Sequence, residues 1–183
     1  MKETIQFQQT TNTAIMIIPN QFGYNAETAV SNAFQNKPQP EDEQRNRDLA
    51  MAEFNGMVDT LRSHDINVLT FPSRDDVVTP DAVLPNNWFS HHAGNILVLY
   101  PMRNLNRTDE RQPENLTTLL ESDNIAKPVI FDLTFHEANR ELIKVIGEDG
   151  KEKEMSVCTE ALEGTGSLVL DRAHKVAYAM ESV

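Results

Sequence analysis

The sequence predicts an α/β fold built from repeated strand–helix modules. Short apolar runs rich in β-branched residues recur along the chain and end at proline or asparagine, which is typical of buried strands. Helical patterns separate these runs in two places, so strands and helices alternate. Because 183 residues suffice for one domain core but not comfortably for two, we expect a single domain over residues 1–183.

The first module is predicted between residues 13 and about 90. Residues 13–18 (TAIMII) predict a strand that is buried on both faces. A long helix is predicted to start at Pro40, since proline is tolerated at the first helical position. Four apolar residues then recur at helical spacing on one face: Phe54, Met57, Val58 and Leu61. Residues 66–71 predict the closing strand.

The second module and an appended hairpin are predicted from residues 96–100, 113–122, 129–133, 141–146 and 154–159. Two more predicted strands, at residues 168–170 and 176–179, would open a third module. Because the sequence ends at Val183, we expect the helix and closing strand of that module to be missing. On this interpretation the domain is incomplete, residues 180–183 lie inside an interrupted motif, and unfinished sheet edges favour self-association.

The composition excludes several classes of partner. A net charge of −12, from 28 acids against 16 Lys and Arg, repels nucleic acid and anionic membrane surfaces and suits a cationic ligand. The polar residues 1–6 do not resemble a signal peptide, so we expect a cytoplasmic protein. The single cysteine, Cys158, excludes an internal disulfide framework and a multi-cysteine metal site.

Residues 79–90 (TPDAVLPNNWFS) form the first candidate site segment. They place Asp81, Asn86, Asn87 and Trp88 between apolar strands, and an unpaired buried polar group costs about 1–3 kcal/mol. A polar ligand would supply partners for these groups. The alternative is that the two asparagines form a turn and the tryptophan fills the core.

Residues 162–167 (LEGTGS) form the second candidate site segment. Gly164 and Gly166 allow a close backbone approach, while Glu163 offers the in-plane carboxylate contact that a planar cation favours. The alternative is an acidic loop with turn glycines.

Together these segments resemble a known family. Residues 79–90, 99–102 (LYPM), 106–107 (NR), 162–172 (LEGTGSLVLDR) and 177–179 (AYA) resemble one branch of the guanidino-group-modifying (pentein) superfamily. That branch is the arginine-deiminase-like, citrulline-utilisation hydrolases, which are related to the amidinotransferases. The resemblance covers nearly all of the chain.

The resemblance implies an α/β propeller of five strand–helix modules around a central active site. It implies that a cysteine thiolate attacks the guanidinium carbon, that a histidine is the general acid and base, and that no metal or organic cofactor is needed. The family's catalytic histidine and cysteine lie beyond the Glu163 segment, so we expect a partial propeller (the N-terminal part of the domain) that is inactive by itself.

The resemblance also implies roles for individual residues. Glu163 matches the active-site acid that contacts the guanidino group, and Asp81 matches an acidic substrate contact of related dimethylarginine dimethylaminohydrolases. Asn86 and Asn87 stand where relatives carry acids, which leaves the exact guanidino substrate open. Cys158 is expected to be a small buried residue, and His91 and His92 are expected in an exposed loop.

Three alternatives remain from the sequence. The chain is interpreted first as part of a hydrolase that acts on the C–N bonds of arginine-like amidines. An amidinotransferase would use the same covalent intermediate and pass the amidino group to an amine. A non-catalytic protein that binds guanidino ligands, or a subunit partner, is the third possibility.

Overall fold

The computed structural model describes residues 9–30, 32, 34–147 and 149–179. Its helices and strands are, in chain order, β1 (Thr13–Ile18), α1 (Ala26–Ala29), α2 (Glu43–Ser63), β2 (Asn67–Pro72), β3 (Phe89–His92), β4 (Ile96–Leu99), α3 (Leu105–Thr108), α4 (Pro113–Ser122), β5 (Val129–Asp132), β6 (Arg140–Ile146), β7 (Glu152–Cys158), α5 (Gly164–Ser167), β8 (Leu168–Asp171) and β9 (Val176–Ala179). The predictions made on residues 1–6, and on residues 180–183, lie outside the described residues.

The described strands form small sheets, most of them between neighbours in the sequence. Strands β1 and β2 pair in parallel, with Thr13 opposite Asn67, and α2 provides the crossover between them. Strand β4 pairs antiparallel with β3 and parallel with β5, and α4 provides the second crossover. Strands β6–β7 and β8–β9 are antiparallel hairpins. The predicted mixture of helices and strands is confirmed, whereas the five-module propeller stays a prediction.

The core lies between the β1–β2 sheet, β4 and α4. Trp88, Leu97 and Met102 are fully buried, and Leu116 and Leu120 extend from α4 to pack against them. The i, i+4 spacing of these two leucines puts both on one face of the helix. Burying each of these apolar side chains contributes about 1.5–3 kcal/mol, so this cluster fixes α4 against the sheets. Helix α4 has the bounds that the sequence predicts.

Two predictions about burial are wrong for the first module. Strand β1 is not buried on both faces, since only Ile17 is fully buried, and Met57 of α2 is 56% exposed. The reason is a cavity of about 860 Å³ beside α2, which is lined by Ile15, Ile17, Phe54 and Met57 among others. Of the residues in α2, only Val58 is buried.

The structure confirms the predicted burial of Cys158 but not the predicted exposure of His91 and His92. Cys158 is buried at the end of β7, as predicted, and its Sγ donates a hydrogen bond of 3.5 Å to the carbonyl oxygen of His136. His91 and His92 are not in an exposed loop: both lie in β3 and are half-buried. No helix within the described part of the chain is long and apolar enough to cross a membrane.

Candidate functional site

Two glycines bring the second candidate segment against the first. Gly164 has a φ of +42°, and a Cβ at this position would lie 2.2 Å from the carbonyl oxygen of Asn86 and 3.0 Å from Cδ2 of Tyr100. A Cβ on Gly166 would lie 3.0 Å from the side-chain amide of Asn87. Only glycine fits this approach without displacement. The start of α5 therefore packs directly on the 3-10 turn Pro85–Asn87.

Glu163 lies immediately before α5, and three donors hold its carboxylate. Oε1 accepts a hydrogen bond of 3.0 Å from the backbone N–H of Arg103. Oε2 accepts bonds of 3.1 Å from the amide of Asn87 and 3.2 Å from Nη1 of Arg107. A carboxylate has about four lone-pair positions, so these partners orient Glu163 and leave capacity for another donor.

Asp81 reaches the same region from the loop after β2. Its Oδ2 accepts hydrogen bonds of 2.8 Å from Nδ2 of Asn25 and 3.0 Å from Oγ1 of Thr28, and Gln35 lies 3.4 Å from Oδ1. The residue is 8% exposed. These neutral donors stabilise a buried charge without cancelling it.

Arg107 joins the two acids. Its guanidinium is buried, donates to Glu163 and lies 4.0 Å from Oδ2 of Asp81. The remaining nitrogens make a two-point contact with Glu110, at 2.8 Å from Nε to Oε1 and 3.0 Å from Nη2 to Oε2. Burial raises the pKa of Glu110 to about 7, although Arg107 acts in the opposite direction.

These groups surround a pocket of about 360 Å³. It is lined by Asp81, Asn87, Arg103, Arg107 and Glu163, among other residues. The charged residues that line it are two carboxylates, Asp81 and Glu163, and two arginines, Arg103 and Arg107. The free acceptor positions of the carboxylates suit a cationic ligand that carries N–H donors. The volume is within the range of small-molecule sites. The larger cavity beside α2 shares Gln35 and Asp81 with this pocket but is lined mostly by apolar side chains, so the smaller pocket is the better candidate site.

The structure thus brings together three of the four site residues named from the sequence. Asp81, Asn87 and Glu163 line one pocket. Asn86 does not: it is exposed, and its backbone carbonyl oxygen, rather than its side chain, faces Gly164. The position of Asn86 therefore does not favour a substrate contact, and the roles of the other three residues stay predictions.

Sequence reasoning missed Arg103, Arg107 and Glu110 as parts of the site. The i, i+3 spacing of Arg107 and Glu110 was the available signal, since oppositely charged residues at this spacing pair on a helical turn. Charged residues in or just after a short surface helix usually lie in solvent, and here tertiary contacts bury Arg107 and Glu110.

A second polar cluster lies behind Gly164. Oγ of Ser90 is 2.6 Å from Nε2 of His92 and 2.7 Å from the hydroxyl of Tyr100, whose ring contacts the start of α5. Burial, and then the charge of Arg172, lower the pKa of His92, so the imidazole is neutral at pH 7. None of these three residues lines the pocket. No group of three His, Cys, Asp or Glu among the described residues is placed to hold a metal ion.

A model of one protein family matches the chain. The family is described as N,N dimethylarginine dimethylhydrolase, eukaryotic, and the match covers residues 18–183. Comparisons with curated proteins and with solved structures give no match. The family match supports the pentein superfamily that the motifs indicate, but not its arginine-deiminase-like branch in particular. The chain therefore belongs to the N,N dimethylarginine dimethylhydrolase family of guanidino-modifying proteins.

Proposed function

We propose that this protein takes part in the hydrolysis of the guanidino group of an arginine-like compound, and that the pocket between Asp81 and Glu163 holds the cation. The observation that carries the proposal is the pair of hydrogen-bonded carboxylates, buried Asp81 and half-buried Glu163, that line one pocket. The family match supports the chemistry, because the family is described as a hydrolase of a methylated arginine. For the same reason we propose water rather than an amine as the acceptor.

Glu163 and Asp81 are proposed to have different tasks. Glu163 is 20% exposed at its side chain and has capacity for another donor, so it suits direct contact with the N–H groups of a ligand guanidinium. Asp81 is more enclosed, and its contribution is chiefly the charge that draws the cation into the pocket. Asn87 fixes the orientation of Glu163 through its 3.1 Å hydrogen bond.

The bond-breaking step is proposed to be covalent. A guanidinium is stabilised by resonance and resists direct attack by water, whereas a thiolate divides the step into two easier ones. Cys158 is not proposed as that nucleophile, because it is buried at the end of β7 and does not line the pocket. The described residues are proposed to bind and orient the cation.

Calorimetric titration of the protein with L-arginine and with Nω,Nω-dimethylarginine tests the proposal. We expect both ligands to bind, and we expect Glu163→Gln to weaken binding at least tenfold, since a hydrogen bond to a charged group contributes about 1.5–3 kcal/mol. Glu160→Gln is the matched control, because Glu160 precedes the site by three residues, pairs with His136 and does not line the pocket. Equal affinities for Glu163→Gln and the unsubstituted protein would remove the basis of the proposal.

A further inference from the structure

The site contains a guanidinium of its own. Arg107 places the same planar cation that a ligand would bring within hydrogen-bonding distance of Glu163. The two guanidinium groups compete for one carboxylate, because both favour a two-point, in-plane contact with it. Access of a ligand to Glu163 therefore depends on how Arg107 is held.

Glu110 holds Arg107 in a particular way. Its two carboxylate oxygens accept hydrogen bonds from Nε and Nη2 of Arg107, at 2.8 Å and 3.0 Å. Only Nη1 of this guanidinium contacts Glu163, at 3.2 Å. Without this two-point contact, Arg107 would be free to turn its paired nitrogens toward Glu163, or toward Asp81 at 4.0 Å.

We propose that Glu110 is a positioning residue for the candidate site: by fixing Arg107 at two points, it limits the protein's own guanidinium to one hydrogen bond with Glu163 and keeps that carboxylate open to a ligand guanidinium. The inference rests on the proposed function of the pocket. Glu110 does not line the pocket and acts only through Arg107.

The two-point contact requires an ionised Glu110. When the carboxyl group of Glu110 is protonated, only one of its oxygens remains a good acceptor, and the other carries an O–H donor. That O–H would face an N–H donor of Arg107, so one of the two hydrogen bonds is lost. Glu110 is 2% exposed, and burial places its pKa at about 7. The charged groups that face it are Arg107 from its own turn, Asp81 from the loop after β2 and Glu163 from the loop before α5.

The pH dependence of ligand binding follows from this arrangement. Above pH 7, Glu110 is ionised and holds Arg107 at two points, so a ligand cation meets an open carboxylate. Below pH 7, the contact is reduced to one point, and Arg107 competes for Glu163. We expect the affinity for a guanidinium ligand to fall about tenfold from pH 8 to pH 6.

The experiment is a calorimetric titration of the full chain with methylguanidinium chloride, which carries the cation and no carboxylate. At pH 8, Glu110→Gln is expected to raise the dissociation constant about tenfold and to remove most of the dependence on pH. Glu110→Asp separates geometry from charge, since it keeps the charge but is one methylene too short to reach both nitrogens. We expect Glu110→Asp to weaken binding as Glu110→Gln does.

The matched control is a substitution in a similar ion pair outside the pocket. Arg111 and Glu137 form another two-point contact, at 2.5 Å and 2.8 Å, and neither residue lines the pocket. Glu137→Gln is expected to lower the unfolding midpoint without changing the methylguanidinium affinity or its pH dependence. A loss of affinity in this control equal to that of Glu110→Gln would show that general destabilisation is the cause, and would overturn the inference.

The remaining outcomes separate this inference from the proposed function. Wild-type affinity in Glu110→Asp or Glu110→Gln, together with weak binding by Glu163→Gln, overturns the role of Glu110 and leaves the proposed function standing. No binding of methylguanidinium by the unsubstituted protein overturns both. If the Glu110 variants fail to fold, the unsubstituted protein decides, because an affinity that is unchanged between pH 8 and pH 6 contradicts the inference.

Discussion

Replacing Gly164 by alanine tests how the site is assembled. The substitution places a Cβ 2.2 Å from the carbonyl oxygen of Asn86 and 3.0 Å from the ring of Tyr100, at a φ of +42°. The backbone conformation costs about 1–2 kcal/mol for a residue with a Cβ, and the forced movement of neighbouring atoms costs about 1–3 kcal/mol. We therefore expect a loss of about 2–5 kcal/mol in the free energy of unfolding, together with weaker binding of cations because Glu163 is displaced.

Alanine substitutions at two other glycines distinguish the backbone cost of Gly164→Ala from its steric cost. Gly150 also has a positive φ, +73°, but has open space around its Cβ position, so Gly150→Ala measures the backbone cost alone. Gly56 lies inside α2 with nothing within 4 Å, so Gly56→Ala is expected to stabilise the protein by about 0.5–1 kcal/mol. Urea unfolding of the three variants gives the comparison. A loss in Gly164→Ala no larger than that in Gly150→Ala would refute the close approach between α5 and the Pro85–Asn87 turn.

Two further predictions concern stability. The pKa of Glu110 is raised by burial from 4.5 to about 7, so its contribution to stability is fully present below pH 4.5 and is lost as pH rises through 7. From pH 4.5 to pH 8, the free energy of unfolding of the unsubstituted protein should fall by about 3 kcal/mol relative to that of Glu110→Gln. Leu116→Ala should cost about 2–5 kcal/mol because Leu116 is fully buried, whereas Met57→Ala should cost less than about 1 kcal/mol; similar losses in thermal unfolding would contradict the burial described for α2.

Much of the local structure could be predicted from the sequence, because the signals were local. Proline at the first position and leucines at i, i+4 define α4, and apolar runs that end at Pro72 or Pro101 define strands β2 and β4. The meeting of Glu163 with Asn87 could be anticipated only through the resemblance, since 76 residues separate them.

The partial exposure of α2 and the burial of the Arg107–Glu110 pair could not be predicted, because both depend on contacts between residues that are distant in sequence. The apolar residues between positions 54 and 61 of α2 have helical spacing and form one face of the helix. Half of that face, Phe54 and Met57, lies against an open cavity instead of the sheet. The burial of Arg107 and Glu110 results from packing against Asp81 and Glu163, which are distant in sequence. A charged pair at the end of a four-residue helix has the same sequence pattern whether solvent or protein surrounds it.

The loose attachment of α2 has a consequence for motion. The helix spans 21 residues but is held to the sheet mainly near its C-terminal end, where Val58 is buried and Arg62 donates a 2.9 Å hydrogen bond to the carbonyl oxygen of Val68. Local opening that breaks few contacts costs little free energy. We therefore expect the first turns of α2 to exchange their amide hydrogens through fraying, and α4 to exchange them only when the whole domain unfolds. Asp81 lines the cavity beneath those turns, so we expect such fraying to bring solvent to the face of Asp81 that looks away from Glu163's pocket.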